Sequence, residues 1–211
     1  MTKVWLLFAS AALVSGQGDP SAQVNPPAQP AAAVDNQPRP AVLIREMKLD
    51  PGMTVADIGT GIGNMLALLS HRVGPTGRVL AEDTEDDFLA AAKDVAESQS
   101  LRNITFIKGE EDDPKLPEGQ VDIILAYDVY HNFKDPEKML AAFNKALRAD
   151  GKLVIVDYYK RESAMPDGKA LTRIRLDMPD LIKELEANHF HLIEEKEYAK
   201  NVQYVLILEK S

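Results

Sequence analysis

Residues 53–83 read MTVADIGTGIGNMLALLSHRVGPTGRVLAED, and their apolar residues change spacing twice along this stretch. Residues 54–58 form a short apolar run typical of a strand, and a glycine-rich turn follows. Residues 64–73 carry apolar side chains at the spacing of a buried helix, and a Pro-Thr-Gly turn leads into a second apolar run at 78–82. A strand, a helix and a strand in this order predict a unit of a parallel sheet.

The remainder of the chain continues the alternation. The run VDIILA at residues 121–126 is apolar at nearly every position, as in a central strand buried on both faces. The pattern predicts further helices at 42–47, 85–98, 135–147 and 178–188, strands at 104–108 and 152–156, and a closing β-hairpin from 191–197 and 203–208. These elements predict a doubly wound α/β domain, with the hairpin added antiparallel at one edge of the sheet.

The glycine-rich turn indicates a ligand site. Gly59, Gly61 and Gly63 follow the first strand at a spacing of two, where glycine permits positive φ and close approach of a ligand to the backbone. In open α/β sheets, ligands bind outside the carboxyl ends of the strands. The dinucleotide fingerprint G-x-G-x-x-G would require glycine at position 64, which is Asn64 in this chain. The spacing therefore disfavours NAD.

Two acidic residues refine the expected ligand. Asp57 precedes the glycines, where a carboxylate would repel a pyrophosphate and bind an ammonium group. Asp83 follows the second strand, where an acid can bind two ribose hydroxyls through charge-assisted hydrogen bonds. Asp57 could instead cap the turn, and Asp83 lies in an acidic run (82–87) typical of a helix N-terminus. A cofactor with an amino-acid end and no phosphate is favoured.

The stretch 53–83 resembles motifs I and II of class I S-adenosylmethionine-dependent methyltransferases. Residues 109–140, GEEDDPKLPEGQVDIILAYDVYHNFKDPEKML, resemble the third and fourth conserved blocks of the same family, and the resemblance covers residues 40–157. It implies a mostly parallel seven-stranded sheet of order 3-2-1-4-5-7-6, with strand 7 antiparallel and helices on both faces. It also implies S-adenosyl-L-methionine as the cofactor.

Carried across residue by residue, the resemblance implies a cofactor site on the glycine turn and the ends of neighbouring strands. The methionine end would lie along the turn, the ribose would bind Asp83, and the adenine amino group would contact Glu110, where the family often has aspartate. Glu111 would present its backbone N–H to the ring, and Tyr127 would end the fourth strand near the methyl donor. The predicted cofactor-binding residues are Asp57, Gly59, Thr60, Gly61, Gly63, Asp83, Glu110, Glu111 and Tyr127.

The methyl acceptor has a weaker signature. Enzymes that methylate the amino groups of adenine or glutamine carry an [ND]-P-P-[FY] tetrad after the fourth strand. This chain reads AYDV at residues 126–129 instead, which argues against such an acceptor. His131 is the best-placed titratable group for acid–base work, or alternatively a structural hydrogen-bonding residue. No catalytic residue or metal site is assigned. We expect a small-molecule acceptor; the alternatives are an exported non-catalytic S-adenosylmethionine-binding module and an NAD-dependent oxidoreductase.

Charge and cysteine content exclude several classes. The net charge of −9 disfavours nucleic acid, because non-specific binding to phosphates depends on Lys and Arg. The absence of cysteine excludes disulfides, thiolate metal sites and a cysteine nucleophile. The sequence leaves the oligomeric state open.

The N-terminal region differs in composition from the rest. Lys3, an apolar run at 4–14 and the small residues Ser15 and Gly16 predict a signal peptide over residues 1–17. Such a run is too short for a membrane span, which needs about 20 residues. Residues 18–40 are rich in Pro and Ala and predict a disordered linker, followed by the methyltransferase domain at 41–211. We expect a periplasmic or secreted protein, or a cytoplasmic one if the segment is not a working signal.

Overall fold

The computed structural model describes residues 39–211, so the predicted signal peptide and all but the end of the predicted linker lie outside the described residues. Seven strands form one sheet: β1 Thr54–Ile58, β2 Arg78–Asp83, β3 Ile104–Lys108, β4 Val121–Tyr127, β5 Leu147–Tyr158, β6 Phe190–Ala199 and β7 Gln203–Lys210. The helices are α1 Pro40–Glu46, α2 Leu66–Val73, α3 Asp86–Ser98, α4 Pro136–Ala146, α5 Ala170–Arg173 and α6 Met178–Ala187.

The strand order is β3-β2-β1-β4-β5-β7-β6, which confirms the predicted topology. Strands β1 to β5 pair in parallel. The closing hairpin joins antiparallel, with β7 against β5 and β6 at the edge. The order reverses between β1 and β4, and ligands of open α/β sheets bind in the crevice that such a reversal leaves at the carboxyl ends of the strands.

Helices cover both faces of the sheet, as expected. Successive side chains of a strand point to opposite faces: Val55 belongs to the core beneath α1, α2 and α3, and Ala56 belongs to the core beneath α4 and α6. Phe143 of α4 and Leu66 of α2 are each fully buried, one on either side. This two-sided burial explains why the central strands are apolar at nearly every position.

One predicted helix begins later than expected. The periodicity predicts a helix from residue 64, whereas α2 begins at Leu66. Gly59, Gly61 and Gly63 all have positive φ, so the backbone turns through these positions, and the chain becomes helical only after them. The apolar spacing is that of a helix, as predicted, but the first two residues of the predicted helix belong to the turn.

Two short elements were not predicted: a 3-10 turn at Tyr130–Asn132 and the one-turn helix α5. We call residues 159–177 the cap segment. Its buried residues Ala164, Met165, Ala170 and Ile174 form a small core of their own against Tyr158 and Tyr159. Neither element is long enough for a periodicity to be visible in the sequence. No helix within residues 39–211 has both the length and the apolar character needed to cross a bilayer.

Candidate active site

A cleft opens at the carboxyl ends of β1, β2 and β4. It has two adjoining compartments of about 430 and 380 Å³, which share Gly59, Gly61 and Asp128 in their walls. Sites for small ligands fall within roughly 300–1,000 Å³. The larger compartment also includes Glu82, Asp83, Thr84, Phe88, Glu110, Glu111 and Phe133, and the smaller includes Asp57, Thr60, Ile62, Asn64, Met65 and Tyr127.

The backbone N–H groups of the glycine turn are bonded within the protein. Gly59 N donates to Glu82 Oε2 at 3.3 Å, and Gly61 N donates to Asp83 Oδ2 at 2.9 Å. Thr60 N donates to the carbonyl oxygen of Glu82 at 2.8 Å. A dinucleotide site uses such N–H groups at the start of the helix to bind pyrophosphate. Because two of these donors are bonded to carboxylates and the third to a main-chain carbonyl, the turn is not built for a phosphate.

Buried acidic groups line the turn. Asp57 is 2 % exposed and accepts a hydrogen bond from Thr60 Oγ1 at 2.7 Å. Burial raises the pKa of Asp57 to about 7, outweighing the Thr60 bond, with a further increase from the charge of Asp83. Glu82 is 2 % exposed, and burial together with the charges of Asp83 and Asp57 raises its pKa to about 8 despite the bond from Gly59. Anions here are destabilised unless a cation is nearby.

The atoms of this cleft fit S-adenosylmethionine. Glu82 Oε1 is buried and has no hydrogen-bond partner among the described residues. Asp83 uses its two carboxylate oxygens to accept from Gly61 N and Glu85 N, both at 2.9 Å, and each oxygen keeps a second lone pair. The ligand has a cationic sulfonium, an ammonium group and two ribose hydroxyls, so it would supply positive charge and donors to a site rich in acceptors.

The other predicted residues occupy different parts of the cleft. Glu110 and Glu111 are exposed in the wall of the larger compartment, and they pair with Lys115 (3.2 Å) and Lys134 respectively. Tyr127 lies in the smaller compartment, and its ring packs edge-on at 6.2 Å from the ring of Tyr198.

Gly63 does not line either compartment. A Cβ atom at this position would lie 2.9 Å from Leu66 Cδ1 and 3.3 Å from Ala92 Cα. Gly63 therefore permits close packing of the turn against α3, and its place at the methionine end stays a prediction.

The structure adds acidic residues that sequence analysis did not select. Asp128, directly after β4, lies in the walls of both compartments. Asp157, near the end of β5, lies 2.8 Å through its Oδ1 from Nδ1 of His131. The sequence signal that could have identified Asp128 and Asp157 is their position at the carboxyl ends of adjacent parallel strands. Glu82 could be recognised in the sequence only as part of an acidic run.

Comparison with known proteins identifies the family. A family model described as a methyltransferase domain matches residues 49–206, more than half of the chain. The chain belongs to this methyltransferase family. S-adenosyl-L-methionine is the cofactor of this family, and the predictions of a methyltransferase and of its cofactor are confirmed at the level of the family.

Individual relatives agree with the assignment. The methyltransferase is similar to a S-adenosylmethionine-dependent methyltransferase from Aquifex aeolicus, with 26% identity, a TM-score of 0.77, and coverage of 83% of this chain and 92% of the other. The ubiquinone/menaquinone biosynthesis C-methyltransferase UbiE of Shewanella sp. (strain W3-18-1) is 28% identical over 111 residues, which are 52% of this chain and 44% of UbiE. The chain thus spans less than half the length of the curated relatives it matches.

A third relative shares only the fold. The [4+2]-cyclase SpnF is 16% identical, with a TM-score of 0.69 and coverage of 81% of this chain and 80% of the cyclase. This architecture thus also occurs in a protein named for another reaction, and the chemistry of an individual chain must be argued from its own site.

Proposed function

We propose that this methyltransferase transfers a methyl group from S-adenosylmethionine to a small organic acceptor. The observation that carries the proposal is the acid-lined cleft, in which the N–H groups of Gly59 and Gly61 are bonded to carboxylates. When bound, the cofactor supplies an activated methyl group on a cationic sulfur. The chain must then hold the acceptor in line with that group and exclude water, and such orientation can account for much of the rate enhancement.

Each part of the cleft suits one part of the cofactor. We assign Asp57 and Tyr127 of the smaller compartment to the methionine end. Asp83 is assigned to the ribose hydroxyls, with Glu82 beside it contributing Oε1, to which none of residues 39–211 is hydrogen-bonded. The adenine would occupy the larger compartment near Phe88, between the acidic residues at 110 and 111 and the start of α3.

Two facts support a small acceptor. The chain carries a net charge of −9, which opposes binding to nucleic acid. The UbiE relatives are named for steps of ubiquinone and menaquinone biosynthesis, which concern small organic molecules. We therefore propose an acceptor of that size.

Calorimetric titration of the full chain tests the cofactor assignment. S-adenosylhomocysteine should bind with a Kd of order 1 μM, about −8 kcal/mol, and NAD should not bind. Asp57→Asn should weaken binding by about 1.5–3 kcal/mol, since it removes a charge that faces the ammonium group. The control Asp94→Asn changes an exposed aspartate on α3 and should leave the affinity unchanged. Binding of NAD in place of S-adenosylhomocysteine would refute the proposal.

We also propose that the protein is exported, on the basis of Lys3 and the apolar run at 4–14. Mass spectrometry of the protein from fractionated native cells tests this. A mature form that begins near Gly16 to Gly18 in the exported fraction would support export. A cytoplasmic form that keeps residues 1–16 would refute it and favour an ordinary metabolic enzyme.

A further inference from the structure

A histidine and an aspartate are paired at the carboxyl ends of β4 and β5. His131 Nδ1 lies 2.8 Å from Asp157 Oδ1, and the two side chains are 3 % and 2 % exposed. The backbone N–H of His131 also donates to Asp157 Oδ2 at 3.0 Å, and Tyr158 N donates to Oδ1 at 2.7 Å. The carboxylate therefore holds both the ring and the backbone of His131, which fixes the orientation of the imidazole.

This contact also determines where the proton of a neutral ring lies. Because Asp157 Oδ1 accepts, His131 Nδ1 carries the hydrogen and Nε2 keeps a free lone pair. Nε2 is buried, and none of residues 39–211 donates a hydrogen bond to it. A buried polar atom without a partner is rare in native proteins, and a catalytic role is one of the explanations for it, besides a bound water, an ion or strain.

The imidazole lies between the cofactor cleft and a small cavity. On one side, Asp128 belongs to the same three-residue cluster, in which the ligand atoms lie within 4.8 Å of one another, and it lines both compartments of the cleft. On the other side, His131 borders a cavity beneath the cap segment. That cavity has a volume of about 10 Å³, room for a single water molecule. Its other walls are Asp157, Arg175 and the aromatic and aliphatic residues Tyr130, Ile174, Leu176, Leu181 and Tyr204. A group in contact with Nε2 would thus be close to the cleft, on the side of Asp128.

A metal ion explains the same cluster less well. The two oxygens of Asp157 already accept three hydrogen bonds, from His131 Nδ1, His131 N and Tyr158 N. A metal bound by these groups would have to displace the ring hydrogen bond that positions His131. A carboxylate that orients a histidine with one free nitrogen is the arrangement of a general base.

We propose that His131 is the general base of this methyltransferase and that its acceptor is an acidic hydroxyl compound, a phenol or an enol. The inference rests on the proposed function. The acceptor's O–H bond breaks and its proton bonds to Nε2. The acceptor's oxygen, or the carbon conjugated to it, bonds to the methyl carbon, and the carbon–sulfur bond breaks with its electron pair remaining on sulfur. Asp157 is a positioning residue that stabilises the imidazolium, and Asp128 adds a second negative charge beside it.

The strength of the base selects the acceptor class. A neutral imidazole removes a proton more readily as the acidity of the donor approaches that of the imidazolium. A phenol, with a pKa of about 10, is far closer to it than an aliphatic alcohol. An amine acceptor attacks through a lone pair that it already has, so it needs no base at that stage.

The test uses the full chain labelled with ¹⁵N and loaded with sinefungin, an amine analogue that places a cation near the methyl position and cannot be transferred. The probe is 4-nitrophenol, whose phenolate absorbs visible light. Long-range ¹H–¹⁵N spectra should show His131 with hydrogen on Nδ1, and 4-nitrophenol should shift its Nε2 resonance. The bound probe should also ionise about tenfold more than the free probe at the same pH. The exposed His71, His189 and His191 serve as internal references.

Variants separate the base from its support. His131→Asn should abolish the ionisation of the probe while sinefungin still binds. Asp157→Asn should give a mixture of ring tautomers and a smaller ionised fraction, a change that loss of packing alone would not produce. The control His191→Asn, on the exposed face of β6, should behave as wild type.

The outcomes distinguish the two proposals. If sinefungin and S-adenosylhomocysteine both fail to bind, the proposed function itself is refuted. If they bind but 4-nitrophenol does not shift Nε2 of His131, only the base assignment is overturned. Selective broadening of His131 by micromolar Mn²⁺ would also overturn it, in favour of a metal site. Because the wild-type spectra decide these points, the test does not depend on whether each variant folds.

Discussion

Replacing Glu82 by glutamine should stabilise the domain at high pH and leave its stability nearly unchanged at low pH. Glu82 is 2 % exposed, and its Oε2 accepts from Gly59 N while Oε1 has no partner among the described residues. Burial, with the charges of Asp83 and Asp57, raises its pKa from 4.5 to about 8. Glutamine has the same shape and cannot ionise, so the variant isolates the effect of the charge.

The sign follows from proton linkage. Between pH 4.5 and about 8, Glu82 holds its proton in the folded protein and has lost it in the unfolded chain. The folded state then binds more protons, so the free energy of unfolding falls as the pH rises. The slope is about 1.4 kcal/mol per pH unit, or roughly 4–5 kcal/mol across the interval. Glu82→Gln lacks this loss and should exceed the wild type by that amount above pH 8.

Urea unfolding followed by far-ultraviolet circular dichroism at pH 5, 6.5 and 8.5 measures the difference. The single tryptophan, Trp5, lies in the predicted signal peptide, so tryptophan fluorescence would not report on the domain. The control Glu97→Gln alters an exposed residue of α3, and its difference in stability from the wild type should not depend on pH. A stability difference that stays constant from pH 5 to 8.5 would refute the argument. Destabilisation of the variant at high pH would show that the ionised carboxylate is favourably paired.

Two further predictions concern the turn and α4. Gly59→Ala should lower the unfolding free energy by about 2–5 kcal/mol and weaken S-adenosylhomocysteine binding, because its φ is +63° and its Cβ would lie 2.6 Å from Val129 Cγ2. Gly119 has a similar φ of +64°, but no atom lies within 4 Å of a Cβ built there, so Gly119→Ala should lower the unfolding free energy by only about 1–2 kcal/mol. Equal losses of stability in the two variants would mean that the contact with Val129 costs nothing. Asp135→Ala removes the side-chain cap of α4 and should cost about 1 kcal/mol with cofactor affinity unchanged, as measured by urea unfolding and calorimetry.

The sequence alone was sufficient for the parallel sheet and for the class of cofactor. Alternating strand and helix periods depend only on which side chains are buried, so strands such as β1 and β3 were predicted with their observed bounds. The glycine spacing and Asp57 are likewise local features that can be read from a few consecutive residues, and they favoured a ligand without phosphate. The position of β7 between β5 and β6 was predicted only from the family resemblance. The sequence of a hairpin does not indicate which of its two strands pairs with the rest of the sheet.

Only the tertiary structure decided how the acidic residues act. A Cβ atom on Gly109 would overlap Glu82 Oε1, so the buried position of that carboxyl depends on the glycine that follows the neighbouring strand β3. His131 and Asp157 are separated by 26 positions and meet because β4 and β5 are parallel neighbours. Periodicity records which face a residue occupies, but distances between side chains on different strands depend on how the whole sheet packs. Burial, which sets the pKa of Glu82, is likewise a property of the assembled domain.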